Sequence, residues 1–316
     1  MVETPDRAGR RLAAVTAALL GLALMATTHA GQTPTLPPSP GSPPGSASAS
    51  PEPSGPTRVL LAVGDIASCD ASNDELVGEL AARLPGTIAL LGDIAYDYGS
   101  LDDFLNCFDP TWGQLRGRLR PAPGNHEYET KGAAGYFAYF GAAAGNPGEG
   151  WYSYDLGFWH VIALNSNCGA IGDCGRGSAE LAWLEDDLAS SGASRPGACT
   201  LAYWHHPRWS SGVHGNHETT DALWDALVAA GADVVLSGHD HDYERLGPID
   251  GIRYFVVGTG GRSLYEWPNP PLPLTVVRAD DTYGLLELTL GDGEYAWRFV
   301  AASGGSFADS GSARCR

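Results

Sequence analysis

The amino-acid sequence predicts an α/β fold with two β-sheets, and two observations support this prediction. Short apolar runs alternate with amphipathic helical patterns, which indicates βαβ units and parallel strands. A second group of segments is rich in Tyr, Trp and Val and includes tight glycine turns such as Gly291-Asp292-Gly293, as is typical of antiparallel strands. We therefore expect one domain over residues 58–316 that contains both kinds of strand.

The apolar runs and the helical periodicity predict the order of the elements. Four buried parallel strands are expected at 59–63, 87–91, 200–203 and 234–236. Three amphipathic helices are expected at 74–84, 179–188 and 221–230. Antiparallel strands of a second sheet are expected at 152–155, 159–164, 254–257, 285–290 and 295–300.

The N-terminal segment differs from this domain in composition. Three arginines precede an apolar run at 12–25, which predicts a signal peptide over residues 1–30 with cleavage after Ala30 and hence a secreted protein. The Arg10-Arg11 pair leaves twin-arginine export open. Because the apolar run is shorter than the ~20 residues that cross a bilayer, we expect no membrane span after cleavage.

Composition and charge exclude several classes of protein. Residues 31–57 are almost entirely Pro, Ser, Gly, Thr and Ala and predict a disordered linker. The whole chain is nevertheless 43% hydrophobic, which is enough to build a core. It carries 37 acidic and 19 basic residues, a formal net charge of −18, so it has no basic surplus for a nucleic-acid platform. The oligomeric state is not predicted.

An even number of cysteines in an exported chain predicts disulfides. Cys168 and Cys174 flank a glycine-containing loop and are candidates for a local bridge. Cys69 and Cys107 each follow a candidate ligand strand, so that a bridge between them would join two loops of the site. Cys199 and Cys315 then remain. The count alone leaves the connectivity open.

Five polar clusters carry the chemistry, and four of them directly follow an apolar run. They are Val63-Gly64-Asp65, Leu91-Gly92-Asp93-Ile94-Ala95-Tyr96, Pro123-Gly124-Asn125-His126-Glu127, Trp204-His205-His206-Pro207 and Ser237-Gly238-His239-Asp240-His241. Because the carboxyl ends of strands in an open α/β sheet converge on one edge, these clusters can meet in space. Carboxylates, an amide, a phenol and imidazoles suit metal ions and not a Ser or Cys nucleophile.

These five blocks, in this order, resemble the calcineurin-like metallophosphoesterase superfamily, and within it the purple acid phosphatase branch. The discriminating features are Asp65-Ile66-Ala67, which lacks the superfamily's usual histidine, and Tyr96 three residues after Asp93. The resemblance implies a four-layer α/β/β/α sandwich of two mixed sheets flanked by helices. It also implies the small, single-domain form, because only the linker precedes residue 58.

The resemblance further implies a dinuclear metal centre. Asp65, Tyr96 and His241 are expected to hold one metal ion, Asn125, His205 and His239 the other, and Asp93 to bridge both. A phenol with a reference pKa of about 10 ionises beside a strong Lewis acid, so the Tyr96 site is expected to hold Fe(III). The His-rich site suits divalent Fe, Zn or Mn.

The implied reaction is hydrolysis of a small phosphate monoester by in-line attack of a metal-bound or metal-bridging hydroxide. His126 and His214 are the catalytic candidates, and His206 and Arg208 are the candidate substrate contacts. Two glutamates, Glu127 and Glu244, are expected to orient the histidine ligands. His217 is left open.

Taken singly, several of these residues also have simpler interpretations. A single Gly-Asp after a strand is commonly a turn, and His160 in mid-strand is expected to be structural. Separate turns have no reason to form a complete ligand set, which favours the metal centre. Two other functions stay open: a divalent-metal phosphodiesterase or nucleotidase, which would tolerate loss of Tyr96, and a secreted binding module, which would have no use for the ligands.

Overall fold

The computed structural model describes residues 56–316. The predicted signal peptide and all but the last two residues of the predicted linker lie outside the described residues. The first strand begins at Arg58. Within the described part of the chain, no helix is both long enough and apolar enough to cross a membrane.

Residues 56–316 form fifteen strands and eight α-helices. The strands are β1 (Arg58–Val63), β2 (Ala67–Ser68), β3 (Thr87–Leu91), β4 (Ala95–Tyr96), β5 (Leu119–Ala122), β6 (Tyr152–Leu156), β7 (Trp159–Ala163), β8 (Cys199–Tyr203), β9 (Val234–Ser237), β10 (Tyr243–Ile249), β11 (Ile252–Val257), β12 (Thr275–Ala279), β13 (Gly284–Leu290), β14 (Glu294–Ala301) and β15 (Ser310–Arg314). The helices are α1 (Asn73–Arg83), α2 (Leu101–Asp103), α3 (Asp109–Trp112), α4 (Asn125–Glu129), α5 (Ala134–Phe140), α6 (Cys168–Ile171), α7 (Ala179–Ser194) and α8 (Asp221–Ala230).

The strands build two large mixed sheets and one small parallel pair. The first sheet has the order β15-β14-β13-β1-β3-β5, and the second has the order β12-β10-β11-β9-β8-β7-β6. In the first sheet β1, β3 and β5 run parallel, and in the second β7, β8, β9 and β11 do. The small pair is β2 with β4, which follow β1 and β3 in the chain.

The two large sheets pack face to face, with helices on their outer faces. Because side chains alternate along a strand, Leu60 of β1 joins the core between the sheets, together with Phe255 of the second sheet. Its neighbour Leu61 packs instead in the outer core that contains Val77 of α1. The outer face of the second sheet packs on α7 and α8 through residues such as Leu184. This confirms the predicted α/β/β/α sandwich of two mixed sheets.

The grouping of the aromatic strands was predicted wrongly. Sequence analysis assigned them to a separate antiparallel sheet, but β13 and β14 lie in the first sheet beside β1, and β6, β7 and β11 lie in the second with β8 and β9. In addition, β7 and β11 run parallel to their neighbours β8 and β9. The reason is that both sheets face the same central core, which takes Tyr, Trp and Phe from either side. Aromatic content therefore does not distinguish the sheets.

Three disulfides tie loops to the sheets. They are Cys69–Cys107, Cys168–Cys174 and Cys199–Cys315, the same pairs considered from the sequence. The Cys69 bridge connects the loop after β2 to the helical turn Phe104–Phe108, and the Cys199 bridge connects the start of β8 to the C-terminal segment. Each bridge restricts the unfolded chain and stabilises the fold by this route.

Candidate metal centre

The predicted ligands lie on loops that follow parallel strands of both sheets. Asp65 follows β1, Asp93 follows β3, His205 follows β8, and His239 follows β9. Three of the ligands adopt left-handed backbone conformations, with φ of 60° at Asp65, 48° at Asp93 and 73° at His239. Such conformations cost free energy for residues other than glycine, and they concentrate at functional sites.

The first site, defined by Asp65, Tyr96 and His241 together with Asp93, is compact. The Tyr96 hydroxyl lies 3.1 Å from Asp65 Oδ1, 3.3 Å from Asp93 Oδ2 and 3.1 Å from His241 Nε2. His241 Nε2 is also 3.3 Å from Asp65 Oδ1. Tyr96 owes its position to the pairing of β4 with β2, where it lies opposite Ser68. Four potential donor atoms, three oxygens and one nitrogen, thus converge on one point.

The second site, defined by Asn125, His205 and His239 together with Asp93, adjoins the first. His205 Nε2 lies 3.1 Å from Asn125 Oδ1, 3.1 Å from His239 Nδ1 and 3.2 Å from Asp93 Oδ2. The same Asp93 oxygen therefore belongs to both sites. A carboxylate shared in this way is what a pair of cations about 3.5–4 Å apart needs between them.

Glycine permits this close approach. A Cβ at Gly92, where φ is +87°, would lie 2.5 Å from the His205 ring. At Gly124, a Cβ would lie 2.1 Å from Asp93 Oδ1. Gly-Asp and Gly-Asn pairs are therefore required here because the loops cross directly behind the ligands.

Hydrogen bonds orient the ligands. The carbonyl oxygen of Leu91 accepts from His205 Nδ1 at 2.8 Å, which turns Nε2 toward the second site. His241 Nδ1 is 2.8 Å from the Ser263 hydroxyl, so its Nε2 faces the first site. The amide of His239 donates to Asp65 Oδ2 at 2.8 Å. The lone pairs of the ring nitrogens are thereby aimed before any ion binds.

The expected role of the two glutamates was wrong, because both bind other groups. Glu127 is fully buried, and its carboxylate accepts the amides of Asp93, Ile94 and Gly124 at 2.7–2.9 Å. It therefore positions the ligand loops through their backbone. Glu244 accepts the amide of Ser211 at 2.8 Å and the hydroxyls of Ser211 and Thr275.

The carboxylates of Asp65 and Asp93 favour positive charge at the two sites. Burial by itself lowers the pKa of His205, but the Asp93 carboxylate more than offsets this effect and raises the pKa to about 9. Burial would raise the pKa of Asp93, yet the His205 charge holds it well below its usual range. Burial, and then the charges of Asp65 and Asp93, raise the pKa of the Tyr96 phenol well above 10.

The donor set fits two cations. Acceptor atoms at these short distances repel one another unless a cation or a proton lies between them. Oxygen ligands dominate the first site, and imidazole and amide ligands dominate the second, so the two sites differ in ligand type. Among the described residues, two groups of possible ligand atoms lie here: Asp65 with Asp93 and His205, and His205 with His206 and His239.

The other predicted site residues divide into two groups. His126 lies beside the first site, with its ring centroid 4.3 Å from that of Tyr96 and its Nε2 3.9 Å from Asp93 Oδ2. The rings of His206 and His214 flank His239 at 4.6 and 4.3 Å. The ring of His217, which sequence analysis left open, also lies near His239, at 5.1 Å.

Unlike these histidines, Arg208 has its guanidinium on partners outside the two metal sites. Its guanidinium pairs with Asp221 at the start of α8 and lies 4.6 Å from the ring centroid of Trp209. Neither partner belongs to either metal site. His160, as expected, is held away from the site, with its ring nitrogens on Asp155 and Asp187.

Sequence analysis missed the segment that completes the first site. After β11, the amide of Arg262 donates to the Asp65 carbonyl oxygen at 3.1 Å. The Arg262 guanidinium lies 5.1 Å from the Tyr96 ring centroid and bonds to Asp97. Tyr265 stacks on His241 with ring centroids 4.2 Å apart. The available signal was Gly258-Thr259-Gly260-Gly261 after a predicted strand, the same position that the other polar clusters occupy.

Comparison with known proteins agrees with the fold and the ligand pattern. The model of the calcineurin-like phosphoesterase family matches residues 59–243, and the chain belongs to this family. The match extends from β1 through the last predicted ligand, His241.

Several curated relatives are acid phosphatases. The chain is 30% identical over 210 residues to human acid phosphatase type 7. This alignment covers 59% of this chain and 46% of the human protein. It is 27% identical over 251 residues to purple acid phosphatase 15 of Arabidopsis thaliana, covering 65% and 45%. The chain thus spans about half the length of these relatives.

A solved structure supports the fold. The purple acid phosphatase PPD1 from yellow lupin superposes with a TM-score of 0.69 at 21% identity, covering 84% of this chain and 55% of that one. At this identity the likeness concerns the fold alone.

Proposed function

We propose that this chain is a secreted metal-dependent phosphatase that hydrolyses small phosphate monoesters at a dinuclear centre. The observation that carries the proposal is Asp93 Oδ2, which lies within 3.3 Å of donor atoms of both sites. The likeness to acid phosphatases supports the same reaction. Two cations held in this way would polarise a phosphoryl group and lower the pKa of a water molecule.

The proposed ions are Fe(III) at the first site and divalent Fe, Zn or Mn at the second. Burial and two carboxylates oppose ionisation of the Tyr96 phenol, so a strongly acidic, trivalent ion suits the first site. The neutral Asn125, His205 and His239 side chains of the second site suit a softer divalent ion.

The chain's own residues would bind and protonate the substrate. His126 Nδ1 donates to the Asp97 carbonyl oxygen at 2.6 Å, so the proton on this nitrogen is fixed and Nε2 is directed away from Asp97. Nε2 is on the side of Asp93 Oδ2, and the His126 side chain is 31% exposed. When the ring is doubly protonated, Nε2 can give its proton to a departing alkoxide and the ring keeps the proton on Nδ1. His206 and His214, beside the second site, are the proposed phosphoryl contacts.

The proposed secretion of the chain agrees with the state of its cysteines. Every cysteine is paired in a disulfide, which is the usual condition of proteins outside the reducing cytosol. The predicted signal peptide supplies a route.

The proposed function is tested by comparing a phosphate monoester with a diester. The metal-loaded chain is expected to hydrolyse p-nitrophenyl phosphate with kcat/KM at least about tenfold above that for bis(p-nitrophenyl) phosphate. Chelation should abolish turnover, and return of Fe and Zn should restore it, because each site depends on its ion.

The two other functions give different results in this assay. Preference for the diester would assign the chain to the phosphodiesterase class instead. Full metal content without hydrolysis of either ester would favour a binding module.

A further inference from the structure

A pocket of about 280 Å³ adjoins the second site. Two segments form it: the turn from β7 into α6, and the loop that follows β8. Its lining includes Ser166, Asn167, Gly169, His206, His217 and Thr219. The ring centroids of His206 and His217 are 4.9 Å apart, and both rings lie against that of the ligand His239. The pocket therefore shares a wall with the metal centre.

Hydrogen bonds and a disulfide hold the pocket in shape. The Ser166 hydroxyl lies 2.8 Å from His206 Nδ1 and accepts the His206 amide at 2.9 Å, which joins the two segments. The Asn167 side-chain amide donates to the Pro123 carbonyl oxygen at 3.1 Å. The Cys168–Cys174 disulfide closes the turn behind them. A pocket fixed in this way does not have to be ordered by its ligand.

The chemistry of the lining restricts what the pocket can bind. It offers the Thr219 hydroxyl, the Asn167 side-chain oxygen and imidazole nitrogens, all of which form hydrogen bonds, whereas the Ser166 hydroxyl and the Asn167 side-chain nitrogen are already bonded within the protein. No lysine, arginine or carboxylate lines this pocket, so it has no charged partner for an anionic group. Its volume of about 280 Å³ is just below the roughly 300–1,000 Å³ of small-molecule sites, which favours a small ligand over a nucleoside or a lipid.

We propose that this pocket is the leaving-group subsite and that it takes the small, uncharged, hydroxyl-rich alcohol part of a phosphate monoester of the sugar phosphate or polyol phosphate class. The inference rests on the proposed function, because it requires the phosphoryl group to bind at the metal pair. With the phosphoryl group there, the attached alcohol needs to extend only past His206 and His217 to enter the pocket.

The test compares glycerol 2-phosphate and glucose 6-phosphate with phenyl phosphate as substrates. The quantity measured is the ratio of kcat/KM for each polyol ester to kcat/KM for phenyl phosphate. Gly169→Leu adds a large apolar side chain to the lining of the pocket. A Cβ at Gly169 meets no atom within 4 Å, so the substitution does not strain the backbone. We expect this variant to lower the ratio by about tenfold, since the hydroxyls of the polyol esters lose their hydrogen bonds to the pocket.

A matched control and a second variant complete the design. Gly117→Leu places the same side chain at another glycine without a close neighbour, outside the lining of this pocket, and should leave the ratio unchanged. Thr219→Val removes one hydroxyl from an exposed position at nearly constant shape, and should lower the ratio severalfold even if Gly169→Leu folds poorly.

The outcomes separate this inference from the function on which it rests. Hydrolysis of phenyl phosphate with a ratio that neither Gly169→Leu nor Thr219→Val changes would overturn the subsite and leave the phosphatase intact. If the metal-loaded wild-type chain hydrolyses none of the three esters, both proposals fall together.

Discussion

Asp93→Ala is expected to empty both metal sites and to abolish hydrolysis. Asp93 Oδ2 lies 3.3 Å from the Tyr96 hydroxyl and 3.2 Å from His205 Nε2, so its loss opens both ligand shells. Loss of a group that only supports a ligand costs about 10–100-fold in metal affinity or activity, so removal of the shared ligand should cost more than about a hundredfold. Elemental analysis of the purified variant measures the first effect and a phosphatase assay the second.

Two further variants serve as comparisons for Asp93→Ala: one removes a ligand of a single site, and the other is a control outside both sites. Asn125→Ala should empty the second site preferentially, because Asn125 Oδ1 lies 3.1 Å from His205 Nε2 of that site. Asp102→Ala, which changes an exposed carboxylate in α2, should keep both ions. An Asp93→Ala protein with full metal content and full activity would show that the two ligand groups do not share this residue.

His126→Ala is expected to keep both ions but to lower turnover by roughly 10²–10⁴-fold for esters with poor leaving groups. His126 holds no position among the ligand atoms, and its ring is fixed by the Asp97 carbonyl oxygen with Nε2 turned to the Asp93 side. A general acid matters only when the departing oxygen needs a proton. The loss should therefore be much smaller for p-nitrophenyl phosphate than for an alkyl phosphate.

The measurement is kcat for wild type and variant across a series of esters that differ in leaving-group pKa. Metal content of the variant is the control, since it separates loss of a proton donor from loss of an ion. If the variant is equally impaired across the series, His126 binds the phosphoryl group and does not protonate the leaving group.

The sequence predicted best those strands whose apolar residues match their burial in the folded protein. β1, β3, β8 and β9 are largely buried strands, and a glycine or polar residue follows each apolar run within two residues, so their positions and the polar clusters after them could be predicted. β5 could not, because Leu119–Ala122 is short and contains Pro121, which the sheet tolerates only because β5 is an edge strand.

The parts of the site that the sequence did not reveal depend on contacts between distant segments. Arg208 was expected near substrate from its position after His205, but Asp221 of α8 attracts its guanidinium. Arg262 lies far from Tyr96 in the chain. It reaches the Tyr96 ring because the loop after β11 is hydrogen-bonded to Gly64 and Asp65, which directly follow β1. Such contacts follow from sheet order, which alternation and composition did not specify.

The central claim, an Fe(III) ion held by Tyr96 beside a second metal ion, is tested most directly by elemental analysis combined with a visible absorption spectrum of the oxidised protein. The account predicts two metal ions per chain, at least one of them iron, and a tyrosinate-to-Fe(III) charge-transfer band that disappears in Tyr96→Phe. A colourless oxidised protein that contains only zinc or calcium would contradict it.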